Sequence, residues 1–144
     1  ADYQAWDGPG LGDPSAFASW LARSGPILGL SVYSSSLPLV LAAAPLLKAS
    51  RPDRLVVIGG PGTTGVETRL LERFPAIDLV AHGEGEDTLV EIVAAWRDSR
   101  HWSGVAGLSF REDGIVRTTP PRPPIRPIDR LPAPGSRRRG PCPR

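Results

Sequence analysis

The sequence predicts an α/β fold in which a parallel β-sheet carries helices on both faces. Short apolar runs rich in Val, Ile and Leu alternate with amphipathic helical patterns, as is typical of strands joined by crossover helices. Two of these runs end in glycine-rich turns, Gly59-Gly60-Pro61-Gly62 and Gly83-Glu84-Gly85. Such turns lie at the carboxyl edge of a parallel sheet, where open α/β sheets bind ligands. We therefore expect the functional region at this edge.

Four β-α pairs are predicted along the chain. Asp13 followed by Pro14 indicates a helix start, with an N-cap and a proline at the first helical position. The helix that follows the second strand is expected to run to about Lys48, with Pro45 kinking it or ending its regular part. The helix after the fourth strand carries an apolar stripe with i, i+3, i+4, i+7 spacing, formed by Leu89, Ile92, Val93 and Trp96. The four predicted strands are Tyr3–Trp6, Ile27–Tyr33, Arg54–Ile58 and Asp78–Ala81.

The pattern changes after the last of these helices. Two apolar runs, Val105–Phe110 and Ile115–Thr119, flank Asp113-Gly114, and Asp-Gly is a strong hairpin signal. Residues 120–144 contain nine prolines and seven arginines, a composition that cannot pack a core. The predicted organisation is an α/β domain at 1–98, a β-hairpin connector at 99–119, and a Pro/Arg-rich disordered tail at 120–144.

Composition excludes several classes of function. No apolar stretch is long enough to span a bilayer, so a cytoplasmic protein without a membrane partner is expected. The single cysteine, Cys142, excludes an internal disulfide and cannot build a zinc or iron–sulfur site alone. The basic excess lies in the tail, whereas residues 1–119 are net acidic, so no nucleic-acid partner is expected. The chain contains no methionine, so it is interpreted as a fragment or a processed product.

An ordered set of motifs carries a resemblance to a known family. The set comprises Ile27-Leu28-Gly29-Leu30-Ser31, Val57-Ile58-Gly59-Gly60-Pro61, Ile77-Asp78-Leu79-Val80 and Gly83-Glu84-Gly85-Glu86. In this order and spacing they resemble the N-terminal cobalamin-binding domain of B12-dependent radical SAM enzymes. The resemblance implies a flavodoxin-like (Rossmann-like) sheet. It also implies an N-terminally incomplete domain, because the family's first strand and helix have no counterpart here.

The resemblance further implies cobalamin as the cofactor and a radical SAM barrel as the partner of the intact protein. The iron–sulfur cluster and S-adenosylmethionine would belong to that barrel, which this chain lacks. No catalytic residue and no metal ligand is predicted, because His82 follows the fourth strand, whereas the family's cobalt-ligating histidine follows the first. The predicted cofactor-binding residues are Ser31, Tyr33, Ser34, Gly59, Gly60, Pro61, Gly62, Gly83, Glu84 and Gly85.

Three functions are left open by the residues. The first is a cobalamin-binding module of a B12-dependent radical SAM protein of the methyltransferase type, non-catalytic by itself. The second is a stand-alone flavodoxin-like module that binds a nucleotide or a partner protein, and the third is an inactive truncated gene product. Under the first hypothesis the glycines permit close ligand approach. We then expect Gly60→Val to weaken cofactor binding more than folding.

Overall fold

One five-stranded sheet organises the part of the chain that the structure describes, residues 12–98 and 101–126 of a computed structural model. The predicted strand Tyr3–Trp6 lies outside these residues. The four helices are α1 (Pro14–Leu21), α2 (Leu37–Ser50), α3 (Glu67–Arg73) and α4 (Gly85–Asp98). The five strands are β1 (Ile27–Ser31), β2 (Leu55–Gly59), β3 (Leu79–Ala81), β4 (Leu108–Glu112) and β5 (Ile115–Thr118).

The strand order confirms the predicted fold class. The order is β1-β2-β3-β4-β5, and the first three strands are parallel while β4 and β5 form an antiparallel hairpin. Asp113 and Gly114 both have positive φ at the hairpin turn, as the Asp-Gly pair predicts. The hairpin is continuous with the sheet, since Val80 of β3 pairs with Ser109 of β4. The sheet is therefore mixed, and its antiparallel part begins at the connector predicted from the sequence.

Helices cover both faces of the sheet. Because successive strand residues point to opposite faces, Val56 and Ile58 pack with α1, α2 and α3 on the first face, and Val57 packs with α4 on the second. On the second face Leu108 and Phe110 of β4 join the same cluster as Ile92 of α4. The hairpin thus completes a core that the parallel strands begin.

Helix ends follow the chemistry of their caps, with one departure from the sequence prediction. The Asp13 carboxylate accepts hydrogen bonds from the backbone N–H groups of Ser15 and Ala16, so α1 begins as predicted. The departure is the end of α2, which continues through Pro45 to Ser50, two residues past the predicted end near Lys48. No helix within the described residues is long and apolar enough to cross a membrane.

Two of the first seven residues of the predicted tail pack against the domain. Ile125 is only 5% exposed, and the Arg122 side chain is 14% exposed where it meets α4. Backbone and side-chain hydrogen bonds hold this segment, as described below. Residues 127–144, the rest of the predicted tail, lie outside the described residues.

Candidate functional site

Three turns meet at the carboxyl edge of the parallel strands. The first turn (residues 32–36) follows β1, the second (residues 60–66) follows β2, and the third (residues 82–84) follows β3. Parallel strands deliver their following turns to one edge, which explains why distant motifs come together. The ten residues predicted as cofactor-binding lie in these turns or at their ends: Ser31, Tyr33, Ser34, Gly59, Gly60, Pro61, Gly62, Gly83, Glu84 and Gly85.

The first and second turns are fastened to each other through their backbones. The Val32 N–H donates to the Gly59 carbonyl at 2.8 Å, and the Gly62 N–H donates to the Val32 carbonyl at 2.9 Å. Gly60 has a φ of +97°, and a β-carbon there would stand 2.9 Å from the Val32 carbonyl oxygen. A β-carbon on Gly62 would stand 2.5 Å from the carbonyl carbon of Tyr33. Glycine is required at both positions because neighbouring backbone fills the space.

This packing changes the interpretation of Gly60. The sequence reasoning assigned its small size to ligand approach, but the strained φ and the contact with Val32 supply a folding reason. Gly60→Val is therefore expected to destabilise the fold as well as any ligand site. Gly59 is similarly confined, since a β-carbon there would lie 3.1 Å from the Ala81 carbonyl oxygen. Thr63, only 2% exposed, donates its hydroxyl to the Gly60 carbonyl at 2.9 Å and locks the second turn.

The third turn is open. Gly83 has a φ of +67°, and a β-carbon added to Gly83 or to Gly85 would meet nothing within 4 Å. Both glycines are exposed, and α4 begins at Gly85 with Glu86 and Asp87 in its first turn. A broad ligand can therefore approach the backbone on this side of the edge without displacing a side chain.

Tyr33 contributes the large exposed side chain of the first turn. Its ring is 63% exposed, while its backbone N–H donates to the Ser36 hydroxyl at 3.0 Å. The Ser36 N–H in turn donates to the Tyr33 carbonyl at 3.0 Å, so the backbone under the ring is held. Ser31 and Ser34 are exposed on either side of this tyrosine. The first turn thus offers a hydrogen-bonded backbone with an exposed aromatic residue and two exposed serines, of which Ser31 has its hydroxyl oxygen close to Gly60.

His82 belongs to a polar chain beneath the edge. Its Nε2 lies 2.8 Å from the Ser109 hydroxyl, which lies 2.7 Å from the Thr118 hydroxyl, and its Nδ1 lies 3.7 Å from a Glu67 carboxylate oxygen. The order of groups is that of a Ser-His-Glu nucleophile system, but Ser109 is 0% exposed and no substrate can reach its oxygen. Within residues 12–98 and 101–126, no group of three or more His, Cys, Asp or Glu could hold a metal ion.

Glu84 has a partner that sequence reasoning missed. Its carboxylate accepts a hydrogen bond from the backbone N–H of Ile125, a residue 41 positions later in the chain. The carboxylate is therefore engaged with residues beyond the hairpin. The available signal was the spacing of Glu84, Thr88 and Glu91, which places three polar groups on one helical face.

Comparison with known proteins identifies this arrangement. A family model described as the B12 binding domain matches residues 17–93, a range that contains all three turns. The chain belongs to the B12-binding domain family. The resemblance inferred from the sequence motifs is thereby confirmed.

Relatives of this B12-binding domain include enzymes of several kinds. The chain is 37% identical over 108 residues to an uncharacterized methyltransferase of Pyrococcus horikoshii, covering 75% of this chain and 24% of the relative. It is 31% identical over 103 residues to an anaerobic magnesium-protoporphyrin IX monomethyl ester cyclase of Synechocystis, covering 72% and 21%. It is 35% identical over 86 residues to the cobalamin-dependent radical SAM methyltransferase TokK of Streptomyces tokunonensis, covering 59% and 13%.

A solved structure supports the fold. The radical S-adenosylmethionine methyltransferase TsrM of Kitasatospora setae matches with a TM-score of 0.62 and 23% identity, over 78% of this chain and 23% of that one. At this identity the likeness concerns the fold alone. The chain spans 24%, 21% and 13% of the length of the three curated relatives named above, so it corresponds to a small part of each.

The carboxyl edge combines a hydrogen-bonded backbone at the first two turns with open space at the third. Backbone hydrogen bonds hold the first and second turns against each other. A β-carbon on Gly83 or Gly85 would meet nothing within 4 Å. The exposed ring of Tyr33 adds apolar surface beside it. These features suit a broad, rigid, largely apolar group better than a compact anion, which would need convergent N–H donors or cations.

Proposed function

We propose that this chain is the cobalamin-holding module of a B12-dependent radical SAM protein of the methyltransferase type. The observation that carries the proposal is the family match over residues 17–93, combined with an edge that is open at Gly83 and Gly85. The cobalamin-dependent radical SAM methyltransferase among the relatives gives the proposal its reaction class.

The residues of this chain act by binding and orienting. The first and second turns, joined by backbone hydrogen bonds, form a floor, and Tyr33, Ser34 and Pro61 are among its exposed residues. Gly83 and Gly85 leave the backbone of the third turn accessible. When bound, cobalamin supplies a cobalt that carries a methyl group. No side chain of the described edge combines a reachable nucleophile with a base, so we assign catalysis to a radical SAM barrel.

The barrel is a separate requirement of the proposal. An iron–sulfur cluster of the radical SAM type needs three cysteine thiolates, whereas this chain has a single cysteine. The module would therefore place the cobalt, and the barrel would generate the radical from S-adenosylmethionine. We expect the isolated chain to bind cofactor without turning over substrate.

A titration with hydroxocobalamin tests the proposal. The purified chain is mixed with hydroxocobalamin and passed through gel filtration, and the corrin absorbance is followed in the protein peak. Co-elution at a stoichiometry near one supports the proposal. Parallel columns with FMN and ATP test the nucleotide-binding alternative. Co-elution of a nucleotide without any cobalamin would contradict the proposed function.

A further inference from the structure

Residues 119–126, here called the strap, leave β5 and cross the amino-terminal half of α4. The start of the strap lies beside the first residue of β4. The Thr119 hydroxyl accepts a hydrogen bond from the Leu108 N–H at 2.9 Å, and the Gly107 N–H donates to the Pro120 carbonyl at 2.8 Å. Thr119 is buried, so this start is part of the core. From this start the strap runs along the domain toward the third turn.

Two polar contacts join the strap to α4, and a third joins it to Glu84 of the third turn, directly before the helix. The Arg122 Nε donates to the Thr88 hydroxyl at 3.1 Å, and the Arg122 Nη2 donates to the Glu91 carboxylate. The Ile125 N–H donates to the carboxylate of Glu84. Positions 84, 88 and 91 are separated by four and three residues, so they share one side of a helix. The strap therefore runs along one side of α4 as far as the third turn.

The Arg122 contact differs from an ordinary surface ion pair. Exposed pairs contribute little because water screens them and the side chains lose rotamer freedom. The Arg122 side chain is only 14% exposed, and its partner Thr88 is fully buried. Of Arg122, Thr88 and Glu91, the Glu91 side chain is the most exposed to solvent, at 42%. Removing Arg122 would leave the buried Thr88 hydroxyl with only its longer bond to the Ala106 carbonyl, at 3.5 Å.

Gly107 and the strap each hold one end of the third turn. The His82 N–H donates to the Gly107 carbonyl at 2.8 Å. Gly107 has a φ of +69° and lies close to both His82 and Arg122. A β-carbon on Gly107 would stand 3.2 Å from the His82 carbonyl oxygen and 3.5 Å from the Arg122 β-carbon. At the other end Glu84 is held by Ile125. Gly83, between them, is the open position of the proposed cofactor site.

We propose that Arg122 is a positioning residue for the cofactor edge. The inference rests on the proposed function: the strap holds the third turn in the shape that receives cobalamin, so strap docking and cofactor binding favour each other. Arg122 itself does not touch the cofactor. It acts through Thr88 and Glu91, which fix the first turns of α4 below Gly83 and Gly85. By linkage, bound cofactor must then stabilise the docked strap to the same extent.

The test compares Arg122→Gln with a matched control, Arg117→Gln. Arg117 lies on β5 and pairs with Glu112, and both side chains are about half exposed, at 52% and 47%. We expect Arg122→Gln to raise the dissociation constant for hydroxocobalamin at least about fivefold, the lower end of typical coupling factors. Arg117→Gln should leave it within about twofold, since exposed pairs contribute little. Glu91→Gln, which removes only the charge partner, should weaken binding in the same direction.

A second readout separates positioning from general stabilisation. The Ile125 amide reports strap docking, and we expect bound hydroxocobalamin to slow its hydrogen exchange in the unaltered chain and not in Arg122→Gln. An unchanged dissociation constant in Arg122→Gln, with faster Ile125 exchange, would make the strap purely structural and overturn the inference. If Arg122→Gln does not fold, Glu91→Gln carries both measurements, with the same expectations and the same overturning result. Absence of hydroxocobalamin binding by the unaltered chain would instead remove the proposed function, and the inference with it.

Discussion

Gly62 lies against Tyr33 so closely that a β-carbon on Gly62 would stand 2.5 Å from the Tyr33 carbonyl carbon. The obstructing atom belongs to the backbone, which cannot move aside as the end of a flexible side chain could. The same turn is tied by the hydrogen bond from the Gly62 N–H to the Val32 carbonyl. The contact joins the turns after β1 and β2 into one rigid unit.

Gly62→Ala is expected to destabilise the fold. The added methyl group overpacks a backbone contact, which typically costs about 1–3 kcal/mol of unfolding free energy. Gly25→Ala is the control, because a β-carbon on Gly25 meets nothing within 4 Å, and it should change stability by less than about 0.5 kcal/mol. Chemical denaturation of both variants measures the difference. Equal stabilities would show that the two turns are not fastened as described.

Gly85→Leu is expected to block cofactor binding without harming the fold. Gly85 begins α4, its backbone is helical, and the space around its missing β-carbon is open. A leucine there fits the helix but projects into the space that we assign to the ligand. Hydroxocobalamin affinity should fall at least about tenfold, equivalent to about 1.4 kcal/mol, while the melting temperature is unchanged or higher.

Ala94→Leu provides the matched control for this substitution. Ala94 is exposed on the same helix, away from the carboxyl edge, and the substitution introduces the same leucine side chain. Its affinity for hydroxocobalamin should equal that of the unaltered chain. Full binding by Gly85→Leu would place the ligand elsewhere.

Arg111→Met is expected to destabilise the fold through the end of α3. The Arg111 guanidinium donates to the carbonyls of Leu71, Phe74 and Ile77 at 2.6–2.9 Å, so it caps the last turn of α3 at Leu71 and joins it to the loop that follows. Burial lowers the pKa of Arg111, opposed by the nearby Asp78, yet a guanidinium remains charged in either case. Met keeps the apolar stem and removes the donors. We expect a loss of about 1–3 kcal/mol, the cost of leaving buried acceptors unsatisfied.

Arg117→Met is the control for the cap. It removes the same guanidinium from an exposed pair with Glu112 and should cost less than about 1 kcal/mol. Thermal unfolding followed by circular dichroism distinguishes the two variants. A smaller loss in Arg111→Met than in Arg117→Met would contradict the role of Arg111 as a cap.

His82→Ala is expected to leave the cobalt environment unchanged. The Nε2 of His82 is bonded to Ser109 and its Nδ1 faces Glu67, so the ring is engaged below the edge. The electron paramagnetic resonance spectrum of the cob(II)alamin complex should show no nitrogen splitting from a protein imidazole, before or after the substitution. Splitting that disappears in His82→Ala would prove the prediction wrong.

Local patterns were sufficient for much of the fold. Alternating apolar runs with helical stripes predicted the parallel strands, Asp13-Pro14 predicted the start of α1, and Asp113-Gly114 predicted the hairpin turn. These features depend on neighbours within a few residues, so the sequence contains them directly. The helix containing Pro45 ends at Ser50, two residues beyond the predicted end near Lys48.

What the sequence by itself determined is the set of glycine-rich turns and the edge on which a parallel sheet must place them. What only the tertiary structure decided is the role of each glycine. At Gly60 and Gly62 the space that a β-carbon would take is occupied by atoms of β1 and the turn after it. At Gly83 and Gly85 that space is open. The contact of Glu84 with Ile125, 41 residues apart, was likewise decided by the path of the chain. The physical reason is that a glycine's φ preference is local, but the atoms that occupy its missing side chain's place come from distant segments.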